Sequence, residues 1–336
     1  MKKRWIIASA LLLAGAVVVV VMWFLDNRKK KEDAPEYVLL YAENQSENYP
    51  STLGGQKFAD LVYERTNGRI KIQIKYGAEL GSEAEAITQM KYGGIAFARV
   101  SVSQLAEKIP DMNVLLLPYL YDDSAHMWRV LEGDIGDDFL HKVEKYDLVG
   151  LSWYDAGARN FYSTDKPITC VEDCEGMNIR VQESAIMADM ISALGANPVE
   201  IVFSDVYSAL EQGLVDAAEN NWPSYESMNH YKVAGYYTVD EHVRVPEMQI
   251  CSEAVWNMFS DSDKEIILEC AKESAIYERQ LWIQREERSK KKAIESGTKV
   301  TTLSPSEKKK FRDAMSDVYV KYCGDEMDLI NKIIDY

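Results

Sequence analysis

Between residues 157 and 225 the chain places two arginines and a pair of amides at the ends or in the interior of apolar, strand-like runs. Arg159 follows a Gly-Ala turn, Arg180 lies inside Met-Asn-Ile-Arg-Val at 177–181, and Asn220 and Asn221 fall in Glu-Asn-Asn-Trp at 219–222, behind a short apolar run. A guanidinium in a strand covered on both faces is costly to bury alone, and its planar fork matches a carboxylate through two parallel charge-assisted hydrogen bonds. The chemistry implied is capture of an organic anion. An internal Asp or Glu would satisfy Arg180 equally well, and an arginine in a turn, as Arg159 is, is often simply exposed.

Other groups would complete such a socket. Glu43, Asn44 and Gln45 follow the first strand-like run, and Phe203 and Trp222 offer aromatic faces, although packing in a core is the commoner fate of such rings. Glu43 in a cleft would accept hydrogen bonds from hydroxyls and repel a second carboxylate, which points to a hydroxylated monocarboxylate. Enzymatic signatures are absent: there is no Gly-x-Ser-x-Gly, no Walker loop, no Gly-x-Gly-x-x-Gly after a strand and no His-Glu-x-x-His. The spacing of the five cysteines fits neither zinc nor haem, and the four histidines are scattered. We expect a binding protein without metal or cofactor. Cys170 and Cys174 are the nearest pair for a disulfide, with free, buried thiols as the simpler reading.

The elements that would position these groups alternate. Strands are expected at 37–42, 70–74, 95–100, 113–117, 149–154, 178–182, 214–218 and 248–252. Helices are expected from Ser51 or Thr52 to Asn67, from the capping box Ser82/Glu85 to Gly93, from Ser184 to Gly195 and from Ser204 to Gly213. Such alternation implies an α/β protein with mostly parallel sheets covered on both faces, whose ligands sit beyond the carboxyl ends of strands. Ser260 to Gly297 reads as one helix, roughly 50 Å long at 1.5 Å per residue, long enough to bridge two lobes. A last helix is expected from residue 307 to about 322.

Length and composition agree with two lobes: 336 residues with 47% hydrophobic content can bury two modest cores. The first 31 residues hold seven Lys/Arg against one Asp, so the remainder carries a net charge of −22, a poor partner for nucleic acid or an anionic membrane surface. Residues 5–25 are uncharged and long enough to span a bilayer, and we read them as an uncleaved anchor with the bulk of the chain outside, a cleaved signal being the alternative.

Residues 58–68, Leu80-Gly81, Leu117-Pro118, Gly157-Ala-Arg159, Pro167-Ile168, residues 176–181, Ala-Leu-Gly-Ala at 193–196, Val206-Tyr207, Ala209-Leu210 and residues 216–220 together resemble the solute-binding proteins of tripartite ATP-independent periplasmic (TRAP) transporters, the DctP type, over about 37–336. The resemblance implies a two-lobed, Venus-flytrap-like receptor that closes on an organic acid and delivers it to membrane subunits driven by a sodium gradient. It also implies that Arg180 clamps the ligand carboxylate, that Arg159 makes a second contact and Asn220 a third, and that Glu43, Ser101 and Phe203 line the cleft. The loops at 42–50, 219–225 and 240–246 are similar to those of the branch taking hexuronates, with Asn44 or Gln45 as amide donor. On this reading residues 1–35 are anchor and linker, 36–157 with 246–285 form one lobe, and 158–245 with 286–336 the other. A C4-dicarboxylate ligand, a sensing ectodomain and an enzyme of sugar acids are the rivals.

Overall fold

The computed structural model describes residues 34–336, so the anchor expected at 5–25 lies outside the described residues. No helix among the described residues is long and apolar enough to cross a membrane. Eleven strands occur in this part of the chain: β1 Tyr37–Ala42, β2 Ile70–Lys75, β3 Phe97–Ser101, β4 Leu148–Tyr154, β5 Arg159–Ser163, β6 Asn178–Val181, β7 Asn197–Glu200, β8 Ala217–Asn220, β9 Tyr236–Val243, β10 Glu247–Ser252 and β11 Lys299–Thr302. They form two sheets, ordered β2-β1-β3-β10-β4 and β11-β9-β5-β8-β6-β7. The protein is thus a two-lobed α/β protein, one sheet to each lobe. The chain passes between them through 155–158, through 244–246 and along the helix Asp261–Glu295.

Local chemistry explains the elements that matter for the site. In β2 the alternation Ile-Lys-Ile-Gln-Ile-Lys buries Ile70 and Ile72 and leaves Lys71 outside. The helix Glu83–Met90 opens on the expected capping box, with Glu85 N–H donating to Ser82 Oγ and Ser82 N–H to Glu85 Oε2. The long helix is capped by Ser260, whose hydroxyl accepts from Asp263 N–H. Its first half adds Ile267, Cys270 and Ala271 to the core of the first sheet, and its end adds Ala293 to the core around Tyr162, Tyr225 and Tyr237 in the second. One rigid rod of 35 residues therefore seats in both lobes.

Several sequence expectations need correction. The apolar run at 113–117 is no strand but part of a 3-10 helix, Pro110–Leu116; a short continuous apolar run does not distinguish the two. The helix Pro50–Arg65 starts on Pro50 without a side-chain cap, so neither Ser51 nor Thr52 opens it. The strand placed at 214–218 is shifted to β8, which puts Asn220 within the strand end. Pairing is mixed: β1 with β2 and β3, β6 with β7 and β8, and β9 with β11 are parallel, while β10 and β5 each run antiparallel to both neighbours. Strands β5, β7, β9 and β11 are additional to those expected from the sequence. The C-terminal helix is broken at Met315 into Pro305–Ala314 and Ser316–Cys323, followed by Met327–Ile334. All five cysteines are free.

Candidate functional site

Arg180 comes from the middle of β6, whose neighbours Ile179 and Val181 are fully buried. Its side chain is 2% exposed, and Nε and Nη2 donate to the carbonyl of Ile201 at 2.9 and 2.6 Å. Among the described residues no carboxylate lies in salt-bridge contact with it. Burial lowers its pKa to about 10, the cost of a guanidinium that lacks an anion. Arg180 borders two spaces at once, an inner chamber of about 40 Å³ and an adjoining outer cleft of about 680 Å³.

Arg159 is differently placed. Gly157, at φ +61°, turns the chain from β4 into β5 where a Cβ would stand 3.0 Å from Trp282 Nε1, so glycine is required and Arg159 opens the next strand. Its guanidinium is buried and paired with Glu219 across the β5–β8 ladder: Nε donates to Oε2, Nη2 to Oε1 at 2.7 Å, and Nη1 to Asn220 Oδ1 at 3.2 Å. Burial opposes the charge on Glu219, but Arg159 and His242 hold its pKa at about 2. His242, stacked on Phe161, lies 3.5 Å from Glu219 and 2.8 Å from Asp240, and these two carboxylates raise it to about 9 against the effect of burial. The internal salt bridge considered for Arg180 is therefore found at Arg159.

The other candidates separate. Asn44 and Phe203 line both the chamber and the cleft, and Asn220 lines the chamber. Glu43, Ser101 and Trp222 line neither. Glu43 is turned onto Arg99, a partner that the sequence reading did not consider. Ser101 hydrogen-bonds Ser103 Oγ at 2.9 Å, and Trp222 stacks on Tyr237 with ring centroids 3.6 Å apart, which is core packing.

Sequence reasoning missed an entire wall. Arg99, in β3, meets three carboxylates: Glu43, Glu83 at 2.7 Å and Glu247 at 2.8 Å. Burial pushes Glu247 up to about 8 with Arg99 opposing, and pushes Glu83 up as well. A charged residue inside an apolar strand singled out Arg180, and the same signal was present at Arg99. Tyr49, Gln182 and Trp282 also line the chamber. Contacts that join the lobes across the cleft include Tyr49 Oη with Ser224 Oγ at 2.9 Å, Gln104 Nε2 donating to Glu183 O at 3.0 Å, Gln182 Nε2 donating to Ser101 Oγ at 3.4 Å, and Ala185 N–H donating to Glu107 Oε1 at 2.7 Å. The arrangement is a polar, two-walled chamber, open to the adjoining cleft and suited to holding a small anion.

Comparison with known proteins agrees with that geometry. The family model described as bacterial extracellular solute-binding protein, family 7 (DctP) matches residues 41–325. A TRAP periplasmic solute-binding protein from a Bradyrhizobium species, solved with α/β-D-galacturonate, superposes with a TM-score of 0.87 at 37% identity, covering 89% of this chain and 100% of that one. One from Pseudomonas putida with bound D-glucuronate gives 0.86 at 33%, covering 88% and 96%. Another, from Sulfurospirillum deleyianum with bound succinate, gives 0.83 at 32%, covering 89% and 98%. A buried arginine facing a polar chamber between two lobes, on a fold matched over most of its length, makes this chain a member of the DctP family of TRAP-transporter solute-binding proteins, which are extracytoplasmic receptors and not enzymes.

Proposed function

We propose that this receptor captures a hexuronate, such as galacturonate or glucuronate, and passes it to the membrane subunits of a TRAP transporter. Arg180 holds the ligand carboxylate, Arg159 and Asn220 assist from the same sheet, Phe203 lies against the sugar ring, and Asn44 reads hydroxyls from the opposite wall. Glu43 takes part through Arg99, which it orients. The two lobes divide as 36–157 with 246–285 and 158–245 with 286–336, and residues 5–25 tether the receptor to the outer face of the membrane.

The observation that carries this reading is the buried guanidinium of Arg180, which has no acidic partner among the described residues and borders both chamber and cleft. The hexuronates in two of the solved relatives support the ligand class. A C4-dicarboxylate would set its second carboxylate against Arg159, whose charge Glu219 already balances. Titration calorimetry with D-galacturonate, D-glucuronate and succinate tests the proposal. Saturable binding of a hexuronate in preference to succinate is the expected result, accompanied by about 2.7 kcal/mol of stabilisation at a hundredfold excess over Kd. Binding of succinate alone would overturn it.

A further inference from the structure

Glu83 lines the inner chamber and the outer cleft on the wall supplied by the first lobe, while Arg180 stands on the wall supplied by the second. It is one of three carboxylates, with Glu43 and Glu247, that share the single guanidinium of Arg99. Because burial pushes Glu247 up to about 8, at neutral pH the single guanidinium of Arg99 stands mainly against Glu43 and Glu83; this wall is the more acidic of the two, and Arg180 leaves the facing wall positive. Two hydrogen-bonding groups in the same chamber have no partner among the described residues although their own residues are almost fully buried: Ser51 Oγ and Trp282 Nε1. A buried polar group without a partner is costly, so these atoms are suited to oxygens brought by a ligand.

We propose that Glu83, supported by Glu247, is a counter-selecting residue. It accepts hydroxyl hydrogens from the end of the ligand remote from its carboxylate and repels a second carboxylate at that end. A hexuronate therefore binds, whereas the aldarate of the same sugar, with a carboxylate at each end, is excluded. The inference rests on the hexuronate reading and deepens it. Discrimination by an unfavourable charge contact is an effective way to reject a near-isosteric ligand, and like charges a few ångströms apart in a partly desolvated site oppose binding by about a hundredfold or more.

The experiment is calorimetric titration of the full-length protein with D-galacturonate, D-glucuronate, galactarate and D-glucarate, for the parent, Glu83→Gln and Glu247→Gln. The parent should prefer a uronate to its aldarate by at least about a hundredfold, and Glu83→Gln should narrow that ratio by at least about tenfold. Equal affinity of the parent for uronate and aldarate would overturn this inference and leave the hexuronate reading standing. Binding of no uronate would overturn both. Should Glu83→Gln fail to fold, the parent's ratio and that of Glu247→Gln still decide: an unchanged ratio in a folded Glu247→Gln removes the supporting role of Glu247.

Discussion

Glu219 accepts hydrogen bonds from two guanidinium nitrogens of Arg159, whereas Arg180, alone of the three buried arginines that line the chamber, has no acidic partner among the described residues. The two should respond oppositely to truncation. Arg180→Met removes an uncompensated buried charge and should leave the melting temperature of the ligand-free protein unchanged or raised. It should weaken hexuronate binding by roughly 3–5 kcal/mol, about two to four decades. Arg159→Met strands Glu219 and should destabilise the ligand-free protein by about 3–5 kcal/mol. Denaturant melts and calorimetry on both variants test the assignment, which fails if Arg180→Met binds as tightly as the parent.

Tyr49 and Ser224 meet hydroxyl to hydroxyl across the cleft, at the chamber wall. Tyr49→Phe keeps the ring against Trp282 and removes one of the bonds that join the lobes. A net hydrogen bond is worth about 1 kcal/mol, so ligand affinity should fall roughly fivefold. Because the bond belongs to the closed form, stopped-flow measurements should place the loss in a faster dissociation rate. A slower association rate with unchanged dissociation would contradict this role.

Much of the architecture is readable from residue patterns, and the failures are informative. The capping box at Ser82 and the alternation in β2 are local signals, and they hold because each is satisfied within one element. Arg180 could be singled out because a charge inside an apolar strand demands an explanation. Arg99 carries the same signal, yet its meaning depends on Glu83 and Glu247, which are 16 and 148 residues away and meet it only through the sheet order. Trp222 and Trp282 show the limit from the other side: nothing local says that Trp222 stacks on Tyr237 while Trp282 turns an unpartnered N–H into the chamber. Strand β9 escaped because Asp240 and His242 interrupt its apolar pattern, and both are buried for their bonds to each other.

Gly54 lies where the helix Pro50–Arg65 crosses the long helix. A Cβ there would stand 2.8 Å from Tyr154 Cε2 and 2.9 Å from Glu278 Cβ, and Tyr154 is fixed in turn by its hydroxyl on Ser274. Neither neighbour is the free end of a flexible chain. Gly54→Ala should therefore cost about 1–3 kcal/mol through overpacking, even though alanine is the better helix former by about 1 kcal/mol. Urea denaturation checks the sign, and a stabilised variant would mean that the two helices separate easily at this crossing.

His242 gives the stability a pH dependence with a definite sign. Asp240 and Glu219 raise its folded-state pKa to about 9, above the ordinary value near 6.5. A group whose pKa is raised by folding stabilises fully below its unfolded value, and that contribution is lost as pH rises through the folded value. The window is thus about 6.5 to 9, and the loss is on the order of 3 kcal/mol. Glu247, pushed up to about 8 by burial, loses stability in the same direction between about 4.5 and 8. His242→Gln should remove the first component and keep the second, so its melting temperature should fall less steeply than the parent's between pH 6.5 and 9 while the two curves run parallel below pH 6. Curves that stay parallel across the whole range would show that His242 is not held charged between its two carboxylates.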